Sequence, residues 1–301
     1  MLEQLIRRRA IYAAEPARGW LAWGILVPVL GIAFVIATVI SLQVLLQHNH
    51  LLDSHENPVG LTGFVAFLLL PFGALGLVVL AWVRFVERRP LAGIGLARGI
   101  AMSAFIRSHL TGVAMASAIV AGIWLSGAYT AGPLVPAFHS AGALGAIAIL
   151  LLCFGLQSSV EELLFRGWML STISLKFGVV AAVIISSAVF DLLHFDPGSG
   201  WIFGINVFLF AVFACCWCLR SGNVWGAMGW HAGWNWMFAT GFELRVTGLD
   251  AHEPALLVRL IQHGPVYLTG GAEGPEASCV TTILLAGAIA FLAWRGPRGT
   301  A

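Results

Sequence analysis

The chain has 301 residues, of which 59% are hydrophobic and only 10% charged, against about 25% charged in an ordinary soluble domain. Its 16 Lys and Arg and 14 Asp and Glu cannot coat a sphere of this size, so most of the surface must face lipid. A net charge of +2 gives no reason to propose nucleic acid as a partner.

Apolar runs bounded by charges, Pro, Gly or polar clusters fall at 20–46, 59–83, 109–128, 141–165, 178–195, 201–219, 224–240 and 280–294. With about 20 apolar residues per crossing, they predict eight transmembrane helices in an all-α polytopic fold, a single integral membrane domain over 1–301. Arg7, Arg8, Arg9 and Arg18 resemble a signal n-region, but the run that follows is long and lacks a small-residue cleavage site, so it reads as a retained span. Basic residues set the orientation. With the N-terminus in the cytoplasm, these four fall on the cytoplasmic side with Arg84, Arg88, Arg89, Arg98, Arg107, Lys176, Arg220, Arg295 and Arg298. Only Arg245 and Arg259 fall opposite, so both termini are expected in the cytoplasm.

The spacing Gly222-x3-Gly226 and Gly229-x3-Gly233 predicts close packing of the seventh helix on a neighbour. Residues 241–279 read as one long extracytoplasmic loop, rich in Gly and Pro, with a short surface helix expected near 253–263. Four of the five cysteines lie in apolar runs and read as buried packing residues. His48, His50, His55, His252 and His263 lie in or near loops and read as solvated.

An ionisable side chain inside a span costs roughly 2.5 kcal/mol or more, and so defaults to a functional hypothesis. The set here is Glu161, Glu162 and Arg166 on the fourth span, Asp191 and His194 on the fifth, and His231 with the amide Asn235 on the seventh. Residues four apart share a helix face, whereas neighbours diverge by about 100°. Glu162 therefore pairs with Arg166, leaving Glu161 for a cavity, and His231 shares a face with Asn235. Glu161 and His194 are 33 residues apart, with the turn Lys176-Phe177-Gly178 midway. An antiparallel hairpin turning there puts both at one level, about 24 Å from the turn, provided the fourth helix continues to about Ser174. His231 and Asn235 lie about 12 and 18 Å from the start of their helix near Val224, and access from the cytoplasmic side is expected.

Two chemistries fit these residues. A carboxylate beside a histidine can act as general base on water, while a second histidine and an amide donate to the oxyanion of an attacked carbonyl, which is amide hydrolysis. In that reading, acid that protonates Glu161 removes the base. Alternatively, Glu161, His194 and His231 form a set for zinc or another divalent metal with one position open, although no His-Glu-x-x-His is present.

Glu161-Glu162-x3-Arg166-Gly167, Phe190-x3-His194 and His231-x3-Asn235, in that order on successive helices, resemble the three motifs of the CAAX prenyl protease and bacteriocin-processing (CPBP) family of intramembrane proteases, which includes the type II CAAX prenyl endopeptidases. The resemblance covers about residues 85–240, the expected catalytic core. It implies that Glu161 and His194 activate water, that His231 and Asn235 stabilise the oxyanion, and that Glu162 and Arg166 support them. Asp191, inside the second motif but outside its usual pattern, is placed to orient His194 from three residues away. The family has been described both as metalloproteases and as metal-independent glutamate proteases, so the metal stays open. Implied partners are membrane lipid and a peptide or protein substrate, prenylated in the family's eukaryotic members. Other members are tied to bacteriocin immunity or act as membrane scaffolds.

Two rival classes remain, a non-catalytic scaffold and a proton-coupled transporter using the same Glu and His. Inverted repeats and broken helices, the marks of a transporter, are not visible in the sequence. Arg exceeds Lys, with Lys176 the only lysine, which hints at a high-GC bacterium and hence the bacterial plasma membrane.

Overall fold

The computed structural model describes residues 10–12 and 15–295. Arg7, Arg8, Arg9 and Arg298, used above for orientation, lie outside the described residues. Eight principal helices stand where the eight apolar runs fall: α1 Leu26–His48, α2 Gly60–Val86, α3 Ala101–Leu125, α4 Ala141–Phe177, α5 Val179–Leu193, α6 Trp201–Ser221, α7 Trp225–Trp236 prolonged by the π turn Met237–Gly241, and α8 Cys279–Arg295. Near-continuous apolar sequence favours helices because lipid offers backbone groups no partner outside the segment. Five of them, α1 to α4 and α6, are long and apolar enough to cross a membrane, while α5 and α8 are shorter apolar helices.

Two differences from expectation have local causes. The third helix begins at Ala101, because its first two turns carry the exposed Ser103 and Arg107, which interrupt the apolar run without interrupting the helix. The helix expected near 253–263 is instead a strand, β2 Val258–Gln262, paired antiparallel with β1 Tyr129–Leu134 in the register Tyr129↔Gln262 and Ala131↔Leu260. A strand needs a partner, and this one comes from the loop before α4, so no local periodicity announces it. Among the described residues the protein is mostly helical, consistent with an all-α polytopic membrane protein, with one small two-stranded sheet.

The helices alternate between two ends of the bundle. One end holds the starts of α1, α3, α5 and α7 and carries Arg18, Arg84, Arg88, Arg98, Lys176 and Arg220; it is called the basic end below. The opposite, loop end holds the β1–β2 sheet and residues 242–278. A single cluster of buried apolar side chains draws on all eight helices.

Glycine sets the position of α7. A Cβ on Gly229 would stand 2.1 Å from the Phe105 carbonyl oxygen and one on Gly233 2.1 Å from that of His109, so α7 lies directly on the backbone of α3. Gly112 returns the contact against the Trp230 carbonyl. Gly222 plays another part, capping α6 at a left-handed φ of 69°.

Candidate active site

α4 runs unbroken from Ala141 to Phe177, as the hairpin expectation requires, but its turns Leu163–Met169 are π-helical. Glu161 and Glu162 close the α-helical part, and Arg166 sits in the π segment, a local irregularity frequent at functional sites. Glu162 and Arg166 have no exposure at all and pair at 3.2 Å between Oε1 and Nη1, as their spacing predicts. The guanidinium also lies 4.4 Å from the centre of the Phe190 ring. Cation–π attraction thus faces it on a side where no carboxylate does.

His231 on α7 joins the two carboxylates. Its Nδ1 lies 3.0 Å from Glu162 Oε1 and its Nε2 3.7 Å from Glu161 Oε2. Neighbouring side chains on α4 diverge, yet a flat ring with nitrogens on two edges spans the gap between them. The expected division of labour therefore holds in geometry, with Glu162 locked in the ion pair and Glu161 facing the cavity. His231 touches both, which spacing alone did not indicate. When His231 carries both protons, Glu161, Glu162, Arg166 and His231 sum to zero charge.

His194 ends α5, where the last carbonyls have no helical partners. The backbone N–H of His194 donates to the Asp191 carbonyl, and the Phe190 carbonyl left over accepts from Nδ1 of the His194 ring at 2.8 Å. A carbonyl only accepts, so Nδ1 carries the hydrogen and neutral His194 keeps its lone pair on Nε2. The hydrogen-bond partner of Nδ1 is thus the chain end of α5 and not the Asp191 carboxylate, which acts on His194 by charge. The His194 ring also packs on Phe190, 4.3 Å between centres. Phe190 therefore lies between Arg166 and His194.

Glu161, His194, His231 and Asn235 line one cavity of about 40 Å³, room for about three water molecules. Gln157, one turn before Glu161, accepts at 3.3 Å from Asn235 Nδ2 and helps to hold the amide there. Thr247 and Glu276 complete the wall from the loop end. Glu276 accepts from Trp234 Nε1 at 2.9 Å and from the Thr247 backbone N–H at 2.7 Å. A second chamber of about 130 Å³ shares Gln157, Glu161, His194, Asn235 and Thr247 but is otherwise apolar, faced by Phe64, Phe67, Phe72 and Phe154. Sequence spacing offered a signal for Gln157, four residues before Glu161. None was available for Glu276, which lies in an aperiodic loop.

Toward the basic end the site is closed by Ile11 and Tyr12, both buried, with Tyr12 Oη donating to the Arg166 carbonyl at 2.6 Å. Burial pushes the Tyr12 hydroxyl well above its usual range, so it serves as a neutral donor. The cavity extends instead from Glu161 and His231 toward Thr247, Glu276 and Thr281 at the loop end.

A bound metal would need three of these ligands converged on one point. Among the described residues no three His, Cys, Asp or Glu side chains are so grouped. His194 Nδ1 and His231 Nδ1 are taken by Phe190 and Glu162, which leaves Nε2 of each ring for the cavity. The set Glu161, His194 and His231 is not drawn together as a ligand sphere in this arrangement. The five cysteines are free and stand apart from the cavity walls, consistent with packing.

Residues 141–237 match the model of the family described as type II CAAX prenyl endopeptidase Rce1-like. The match bears out the resemblance carried by the three motifs, runs from the start of α4 into α7, and contains Glu161, Glu162, Arg166, His194, His231 and Asn235. No curated protein and no solved structure matches the chain.

Proposed function

From a membrane-embedded cavity inside a stretch that matches a protease family, we propose that the protein is an intramembrane endopeptidase of glutamate type, in which Glu161 and His194 activate a water molecule. Glu161 takes the water's proton as oxygen attacks the scissile carbonyl carbon, and His194 Nε2 accepts the water's second hydrogen bond and aims it. Asn235 Nδ2 and, in its doubly protonated form, His231 Nε2 donate to the oxyanion. A single such donor is worth about 10²–10³ in kcat. As the tetrahedral intermediate collapses, Glu161 returns its proton to the leaving amine, so no covalent enzyme intermediate forms.

The carrying observation is convergence: four polar side chains from three helices, the first and third 70 residues apart, share one small cavity in a largely apolar bundle. Glu162 and Arg166 support it by holding His231 and the π segment. The apolar chamber beside Glu161 takes a hydrophobic substrate side chain. Residence in a bacterial plasma membrane is part of the same proposal.

The test is cleavage of a fluorogenic peptide panel, farnesylated CAAX peptides included, by detergent-purified wild type and Glu161→Gln. Cleavage that disappears in Glu161→Gln while the variant melts like wild type supports the reading. Equal cleavage by both proteins overturns it.

A further inference from the structure

We infer that the candidate site opens to the extracytoplasmic side, so that its substrate is a polypeptide segment presented from outside the membrane. The inference rests on the protease reading for the word substrate, but on topology alone for the side. Two independent observations meet in it.

The first is the direction of the cavity. Along each wall-forming helix the cavity residues step from the buried charge cluster toward the loop end: Glu161 to Gln157 on α4, His231 to Asn235 on α7, and Leu285 to Thr281 on α8. His194 is followed at once by the exposed turn Phe195 and Asp196, whereas Arg166, one turn below Glu162, is sealed over by Tyr12. Gly95 and Gly167 add to this seal. A Cβ on Gly95 would stand 2.8 Å from the Tyr12 ring, and one on Gly167 3.0 Å from the Ile94 carbonyl, so the 91–95 turn lies flat against the bottom of the site. Among the described residues the cavity walls lead to the loop end, and the basic end is sealed.

The second is the sidedness of the basic residues. Arg18, Arg84, Arg88, Arg98, Lys176 and Arg220 lie at the basic end, whereas the loop end carries only Arg245 and Arg259 among the described residues. Arg259 is also neutralised by Glu243 at 3.2 Å. Lys and Arg near span ends are retained in the cytoplasm. The basic end is then cytoplasmic, and the cavity faces the other way. A substrate reaching Glu161 by this path has already crossed the membrane or ends a transmembrane helix on its outer side. The C-terminus of a cytosolic protein has no access.

The experiment uses single-cysteine reporters in the full chain, with the two partly exposed native cysteines replaced as Cys216→Ser and Cys279→Ser. Asp196→Cys reports the loop-end rim, Glu161→Cys the cavity floor and Arg98→Cys the basic end. Each is treated with a charged, membrane-impermeant maleimide in spheroplasts and in inside-out vesicles of one bacterial host. The expected pattern is labelling of Asp196→Cys and Glu161→Cys in spheroplasts and loss of that labelling in inside-out vesicles, with Arg98→Cys reversed. Inverted patterns, labelling of Glu161→Cys from the Arg98 side, or its inertness from both sides overturn the inference. Detergent erases sidedness, so cleavage by the purified protein tests the protease reading separately. Cleavage with inverted labelling sinks the side alone, and the expected labelling without any cleavage sinks the protease reading alone.

Discussion

Replacing Glu162 by Gln should destabilise the protein by about 3–5 kcal/mol, as breaking a buried ion pair from one side does. The perturbation is nearly isosteric, and a Gln oxygen can still accept from His231 Nδ1, so the change isolates the charge. At 3.2 Å between Glu162 Oε1 and Arg166 Nη1, the lost attraction is about 5 kcal/mol at an effective dielectric constant of about 20. Both side chains have zero exposure, so water cannot replace the carboxylate, and the guanidinium nitrogens have no aligned hydrogen bond to fall back on. Arg166→Met alone should cost a similar amount, because it strands Glu162 instead. In the double variant no buried charge is left unpaired at this position, and its cost should fall short of the summed singles by roughly 2–3 kcal/mol. SDS-titrated unfolding in mixed micelles measures all four proteins. Singles costing under about 1 kcal/mol, with an additive double, would refute the view that this pair exists to neutralise itself.

Three further outcomes follow from the packing and the site. Gly233→Leu places side-chain atoms where the His109 carbonyl already stands, so α7 must leave α3; a loss of about 3 kcal/mol or more and of cleavage together is expected, measured by the same unfolding titration and peptide assay. Glu276→Ala strips acceptors from Trp234 Nε1 and from the Thr247 N–H and hydroxyl, which should cost about 1–3 kcal/mol and change the Trp fluorescence. Prolonged dialysis against a strong chelator should leave peptide cleavage unchanged, since the site's side chains are not grouped as a ligand sphere; loss of activity restored by zinc would contradict the glutamate mechanism.

The helices were legible in the sequence because lipid imposes one solution on an apolar stretch of sufficient length. The motif residues were legible for the converse reason: in such stretches a charge is conspicuous. Helical spacing was enough to pair Glu162 with Arg166 and to level Glu161 with His194. Features that depend on irregular backbone were not legible. The partner of Nδ1 in His194 is an orphan carbonyl at a helix end, which side-chain spacing does not announce. Tyr12, β2 and Glu276 come from segments without periodicity, and their contacts span separations that only the folded chain defines. The seal over the basic end was not legible, because distance to a turn says nothing of what covers the turn.

Adjacent carboxylates in a membrane pose a problem that the geometry resolves by unequal surroundings. Two negative charges side by side repel, and each also loses its hydration on burial. Glu162 is compensated permanently by Arg166, whose far face rests on Phe190, so its charge is fixed and it needs no solvent. Among the described residues Glu161 faces His231 at 3.7 Å and a few waters' worth of space, the setting that the proposed base requires. In the proposed mechanism His231 communicates between them: as Glu161 gains a proton from water, the imidazolium turns from counter-ion of a carboxylate to donor for the new oxyanion. The negative charge thus moves from Glu161 to substrate without leaving the reach of His231 Nε2, and the neutral sum of the cluster is preserved throughout. A base at 161 with no Glu162–Arg166 pair behind it would lack the buried acceptor that holds the imidazole in place. In this account the neighbouring glutamate, inert in chemistry, is what allows the first one to be reactive.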